Sequence, residues 1–135
     1  MNFAMILLSF LSFLWSWQTT EPIKEASLDE AFTIKIGQKV EIKDANLTIT
    51  FTAVEEDSRC PAGVACVWAG NAKLNIEVKR SKKKYISASL NTTLNPKDVD
   101  YKGYKIKLAG ISPSRKADAA PDPAEYEATI IVTNK

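Results

Sequence analysis

Leu47-Thr48-Ile49-Thr50-Phe51-Thr52 decides the fold class. Large apolar side chains occupy every second position and threonines fill the gaps. That period of two puts one face of an extended chain against a core and the other toward water. The same alternation recurs on both sides. Phe32, Ile34 and Ile36 alternate with Thr33 and Lys35, and Val40 and Ile42 resume after Gly37-Gln38. Leu74, Ile76 and Val78 oppose Lys73, Asn75, Glu77 and Lys79, and Ile86, Ala88 and Leu90 return after a basic turn. Tyr104, Ile106 and Leu108, then Tyr126, Ala128, Ile130 and Val132, complete the pattern. Turn formers such as Asn95-Pro96 and Gly103 separate the runs. No stretch from 32 to 135 keeps a helical period. The expectation is an all-β, antiparallel β-sandwich of immunoglobulin-like plan with about seven or eight strands.

The alternation slips at Ala53-Val54, which predicts a β-bulge or a strand end. Residues 91–103 are expected to be turns. Residues 21–31, polar and without periodicity, are expected to be a spacer ahead of a single domain spanning 32–135.

From Phe3 to Trp17 only Ser9, Ser12 and Ser16 interrupt an apolar run, and the first charge in the chain is Glu21. Residues 1–20 are therefore expected to form a signal helix, since the run is shorter than the roughly 20 apolar residues that span a bilayer. No Lys or Arg precedes it and no Ala-x-Ala site follows. An uncleaved anchor with Trp15 and Trp17 at the interface is the alternative. Membrane contact through this segment is expected only if it is retained. The expected location is periplasmic or extracellular.

Composition excludes several chemistries. The chain has 135 residues, 18 Lys and Arg, 16 Asp and Glu, and no histidine. Without His there is no Ser-His-Asp or Cys-His triad and no His-ligated zinc site. A formal charge of +2 gives no reason to expect nucleic acid as a partner. No cofactor and no metal are expected.

The two cysteines, Cys60 and Cys66, are expected to pair, because an exported chain meets an oxidising compartment. Closing so short a loop contributes about 2.4 kcal/mol at most, so the bond's expected work is to fix shape. Trp68 lies two residues beyond Cys66. In an extended segment the indole and the disulfide would share one face and pack together. Asp57 is expected to cap the turn or to pair with Arg59. The adjacent carboxylates Glu55, Glu56 and Asp57 alternate in direction along a strand and do not converge on a cation. Lys79, Arg80, Lys82, Lys83 and Lys84 collect five cations at one hairpin tip, a candidate contact for an anionic surface as well as a guard against edge pairing. Asn46-Leu47-Thr48 and Asn91-Thr92-Thr93 match the N-glycosylation acceptor pattern.

Asp57-Ser58-Arg59-Cys60-Pro61, followed by Cys66-Val67-Trp68-Ala69-Gly70-Asn71-Ala72, resembles a recurrent segment of uncharacterised small secreted proteins and lipoproteins of Bacteroidetes-type bacteria. Looser similarity extends to Gly37-Gln38-x-Val40, Tyr104, Ser112-Pro113 and Tyr126. Lipid anchoring is common in chains of that kind, but no cysteine stands near residue 20 here. The resemblance implies no activity.

The function expected from these features is an extracytoplasmic, non-enzymatic binding or structural module. It would present the loop around Asp57, Arg59 and Trp68 to an envelope or extracellular protein, or to an anionic surface. A secreted protease inhibitor and a small hydrolase without a His-based mechanism are the alternatives.

Overall fold

In a computed structural model, residues 22–135 are described; the expected signal helix over residues 1–20 lies outside them. Alternation produces strands wherever it was clear. Among the described residues nine form: β1 (Lys24–Ala26), β2 (Phe32–Lys35), β3 (Lys39–Ile42), β4 (Leu47–Asp57), β5 (Ala72–Arg80), β6 (Ile86–Asn91), β7 (Asp98–Tyr101), β8 (Tyr104–Ser112) and β9 (Glu127–Asn134). They build two sheets, ordered β1-β3-β4-β5-β6 and β2-β9-β8-β7. All neighbours are antiparallel except β1 and β3.

The sandwich expected from the sequence therefore forms, with two strands more than the clear alternations number. β1 corrects the expectation of a plain spacer over 21–31. Lys24, Glu25 and Ala26 pair with Val40, Glu41 and Ile42 in parallel, and three residues are too few to display a period. β7 corrects the assignment of residues 91–103 to turns. Its Asp-Val-Asp-Tyr sequence buries only Tyr101, and it is recruited by pairing with β8 through a tight turn. Lys102 and Gly103 both have positive φ in that turn, +51° and +87°, as a two-residue hairpin connection of this hand requires.

The core lies between the sheets. Val40, Ile42, Leu47, Ile49, Phe51, Leu74, Ile76, Val78 and Leu90 from one face meet Ile34, Ile106, Leu108, Ala128, Ile130 and Val132 from the other, nearly all with no exposed surface. Each large side chain buried this way stabilises the fold by about 1.5–3 kcal/mol. A one-residue slip would turn a whole strand's apolar set to solvent, so the register is firmly specified.

The expected irregularity at Ala53-Val54 is a pair of bulges, and the strand does not end there. Register shifts fall between Phe51 and Ala53 and between Val54 and Glu56. Each adds one residue to the normal spacing of two, so the inward positions run Phe51, Val54, Asp57. Phe51 and Val54 join the core, and Asp57 is delivered, as a carboxylate, to its edge. This local departure from period two positions the candidate site.

Candidate functional site

Residues 58–71 connect β4 to β5, and their base continues the hairpin. Ser58 N–H donates to the Asn71 carbonyl at 2.8 Å and Cys60 N–H to the Ala69 carbonyl at 2.8 Å. Gly70 sits in this neck with φ +71°. A Cβ there would overlap the Ser58 carbonyl oxygen and come within 2.7 Å of its carbon. Only glycine fits, on both conformational and steric grounds.

Beyond the neck, Cys60 and Cys66 form the expected disulfide, with Cα atoms 6.0 Å apart. Pro61 and Gly63 make the turn inside it, where the Val64 N–H donates to the Pro61 carbonyl at 3.2 Å. Ala62 N–H reaches the Arg115 carbonyl at 3.1 Å, tying the loop to the segment between β8 and β9.

Asp57 and Arg59 meet as the sequence predicted, and both expected modes occur together. Arg59 Nε and Nη2 donate to the two carboxylate oxygens of Asp57 at 2.8 Å each, and the Arg59 backbone N–H donates to Oδ1 at 3.3 Å. The pair is bidentate and withdrawn from water, with side-chain exposures of 15% and 3%. Arg59 then uses its outer donors on the carbonyls of Ile111, at 3.1 Å, and Pro113, at 2.8 Å. Tyr126 completes the cluster by donating its hydroxyl to Asp57 Oδ2 at 2.8 Å. Arg59 is thus a clasp across more than fifty residues of sequence, and its guanidinium faces the protein.

Electrostatics follow from this geometry. Burial pushes the Asp57 carboxyl up, but hydrogen bonds from Arg59 and Tyr126, with the guanidinium charge, more than offset it, and the group titrates below its ordinary 3.8. The hydrogen bond to Asp57 holds the Arg59 proton more tightly still. Burial and the hydrogen bond to Asp57 push the Tyr126 hydroxyl up to about 12.

Trp68 departs from expectation. The chain bends at Val67 and Trp68 and is not extended, so the condition for packing the indole on the disulfide fails. Trp68 is 52% exposed, Val67 is fully exposed and Val64 is 44% exposed. The loop therefore turns its charged residues inward and its apolar ones outward.

The three carboxylates diverge as the sequence predicted. Glu55 points out to Lys73, at 3.2 Å, while Asp57 points in. Among the described residues no group of three His, Cys, Asp or Glu is placed to hold a metal.

A second polar cluster supports the same end of the sandwich. Asn71 and Asn91 are buried. Asn71 donates from Nδ2 to Asn91 Oδ1 at 2.9 Å and accepts from the Thr93 and Leu94 N–H groups at 3.0 and 3.2 Å, while Asn91 Nδ2 donates to the Pro96 carbonyl at 3.1 Å. The acceptor asparagine of the second glycosylation triplet is thereby buried.

At the other end, the turn joining β5 to β6 carries the basic tip. Lys79, Lys82, Lys83 and Lys84 are exposed, Arg80 is half-buried, and none of the five takes part in an ion pair among the described residues. Two ties hold this turn to its surroundings: Ser81 N–H donates to the Asn46 carbonyl at 3.0 Å, and a hydroxyl from the opposite sheet reaches it. Tyr101 OH accepts from Arg80 N–H and donates to the Lys84 carbonyl, each at 3.2 Å.

Sequence reasoning did not single out Tyr101, Asn71 or Arg115. Tyrosine at strand ends and asparagine beside the glycine of a loop are the only signals they offer, and neither names a partner.

No protein-family model, curated protein or solved structure matches the chain.

Proposed function

We propose that this chain is an extracytoplasmic, non-enzymatic binding module that offers Val67 and Trp68, on a disulfide-tightened loop, to a protein of the cell envelope or the extracellular medium. One observation carries the reading. Two large apolar side chains stand out from a loop whose polar groups, disulfide and glycine neck all work to hold it still. A preorganised loop loses little entropy on binding, and an exposed tryptophan is the residue type most often found at the energetic centre of an interface. The disulfide suits an oxidising compartment, which agrees with residues 1–20 acting as a leader, cleaved or retained. Membership of the secreted family that the Asp57–Ala72 segment resembles belongs to the same proposal. The immunoglobulin-like plan enters in a general sense, as two sheets that hold loops at their ends. Strands β3 to β6 and β7 to β9 follow one another as meanders, while β1 beside β3 and β2 beside β9 join their sheets out of sequence order.

Trp68→Ala tests the reading in two measurements. The unfolding free energy should stay within about 0.5 kcal/mol of wild type, as for an exposed side chain, while recovery of the partner in crosslinking on intact cells should fall. A Trp68→Ala protein that loses stability and keeps its crosslinks would make the loop scaffolding.

Val67 favours a second reading, a protease inhibitor, because a fully exposed residue directly after a disulfide on a supported loop is suited to entering a cleft. A panel of secreted proteases separates the two, and absence of inhibition at micromolar concentration retires the inhibitor.

The basic tip is a further proposed contact, for anionic head groups or acidic envelope polymer. Its support is that five cations stand together without ion-pair partners among the described residues.

A further inference from the structure

A cleft of about 430 Å³ opens beside the disulfide loop, and its lining includes Arg59, Ala69, Thr92, Thr93, Ile111, Ser114 and Arg115. Its walls come from the loop itself, from the β6–β7 connection, from the end of β8 and from the segment after it. The volume suits a small organic ligand.

The charges in this cleft do not cancel. Asp57 takes up the charge of Arg59 through two hydrogen bonds. Arg115 has no carboxylate within ion-pair distance among the described residues, and its Nε is buried without a hydrogen-bond partner. A buried, unmade hydrogen bond on a charged donor costs more than one on a neutral group, so the donor calls for a partner, a water or a ligand. Residues bearing hydroxyl groups line the same cleft. Thr92 Oγ1 already accepts from Ala72 N–H at 2.9 Å, which leaves its proton to donate, and Thr93 and Ser114 line the same space. Ala69 and Ile111 supply apolar wall.

We infer that this cleft binds a small monocarboxylate, its carboxylate on the Arg115 guanidinium and neighbouring hydroxyls and its apolar part against Ala69 and Ile111. One uncompensated guanidinium matches one negative charge, and the flat fork of arginine matches the two oxygens of a carboxylate. A doubly charged phosphate would leave a charge unmatched. The inference does not use Val67 or Trp68 and stands apart from the loop-tip proposal.

Amide spectra of the full chain, labelled with nitrogen-15, provide the test. N-acetylvaline should shift the Thr92, Thr93, Ser114 and Arg115 resonances saturably. N-acetylvalinamide, which lacks the charge, should bind about tenfold more weakly or worse, and inorganic phosphate more weakly than the carboxylate. A tripeptide ending in valine distinguishes sources. Tighter binding than N-acetylvaline identifies the C-terminus of a chain as the ligand, and equal binding identifies a free acid. Arg115→Gln should abolish the saturable shifts and Arg115→Lys should keep part of them, with both unfolding midpoints near wild type. Lys83→Gln, at the distant tip, should leave the titration unchanged. Absence of saturable shifts with N-acetylvaline, an equal response to the amide, tighter binding of phosphate, or an undiminished titration in Arg115→Gln would each overturn the site.

Discussion

The two ends of the sandwich were both candidate contact surfaces, and they are built in opposite ways. At the Cys60–Cys66 end, a neck that admits only glycine, a bidentate ion pair, a tyrosine hydroxyl and a buried asparagine pair join three connections into one piece. At the basic tip one tyrosine hydroxyl and one backbone bond, from Ser81 N–H to the Asn46 carbonyl, hold the turn, and the lysines extend into solvent with no ion-pair partner among the described residues. The first end spends the charges of Asp57 and Arg59 on the fold and leaves apolar side chains and Arg115 to meet a partner. The second spends almost nothing on the fold and keeps its charge available. Charge in a sequence therefore marks a contact surface only when the structure leaves it uncompensated. Arg59 fails that condition, while the lysines of the tip and Arg115 meet it.

The largest expected effect breaks the rigid end at its tightest point. Gly70→Ala places a Cβ on the Ser58 backbone and forces alanine into the left-handed region, a loss of about 3 kcal/mol or more. Urea unfolding measures it, and a tolerated alanine would mean that the neck has slack.

Asp57→Asn follows, keeping shape and removing charge. It leaves Arg59 half-buried without its counter-ion, and breaking such a pair costs about 3 kcal/mol. The sign with pH is fixed by the direction of the shift. Asp57 titrates lower in the folded state, so its stabilisation is complete above the ordinary value of 3.8 and disappears as the pH falls from there through the folded value. The gap between wild type and variant should close over that acid range. Tyr126 acts in the opposite sense. Its stabilisation is complete below its ordinary 10.0 and is lost as the pH rises through about 12, an ultraviolet titration that Asp57→Asn should bring back toward 10.0.

At the loose end, Tyr101→Phe removes the hydroxyl that joins Arg80 to Lys84 and costs about 1 kcal/mol. A much larger loss would show the tip to be as interlocked as the disulfide end. The smallest effect on stability belongs to Lys82, Lys83 and Lys84 replaced together by Gln, expected within about 0.5 kcal/mol of wild type. The same triple variant should lose affinity for phosphatidylglycerol vesicles by about 1 kcal/mol per cation. Equal vesicle binding would reduce the tip to a solvated turn.

How far these features were legible in the sequence depends on their range. The Leu47–Thr52 alternation, the hairpin across Arg80–Lys84 and the slip at Ala53-Val54 are local signals with one buried face, and each gave its element. β1 was not legible, because three residues recruited in parallel at a sheet edge carry no period. Trp68 misled for a specific reason. Its expected burial assumed an extended segment, and the bend after Cys66 is imposed by the closed loop. The pairing of Asp57 with Arg59 was local and readable. Its outcome was not, since the carbonyls that consume the remaining Arg59 donors belong to Ile111 and Pro113. Arg115 carried no signal at all, because an unsatisfied donor is a property of surroundings.

The buried pair of Asn71 and Asn91 decides how the chain can be manufactured. Asn91-Thr92-Thr93 is an acceptor triplet, and eukaryotic secretory hosts attach the sugar to asparagine side chains in such triplets. Here the Asn91 amide must lie against Asn71 with almost no exposed surface, so a chain carrying a glycan there has no room to close its sandwich. Yeast or mammalian secretion would divide the product into a folded fraction with Asn91 free of sugar and an unfolded fraction glycosylated there. A bacterial periplasm supplies the disulfide without imposing that division.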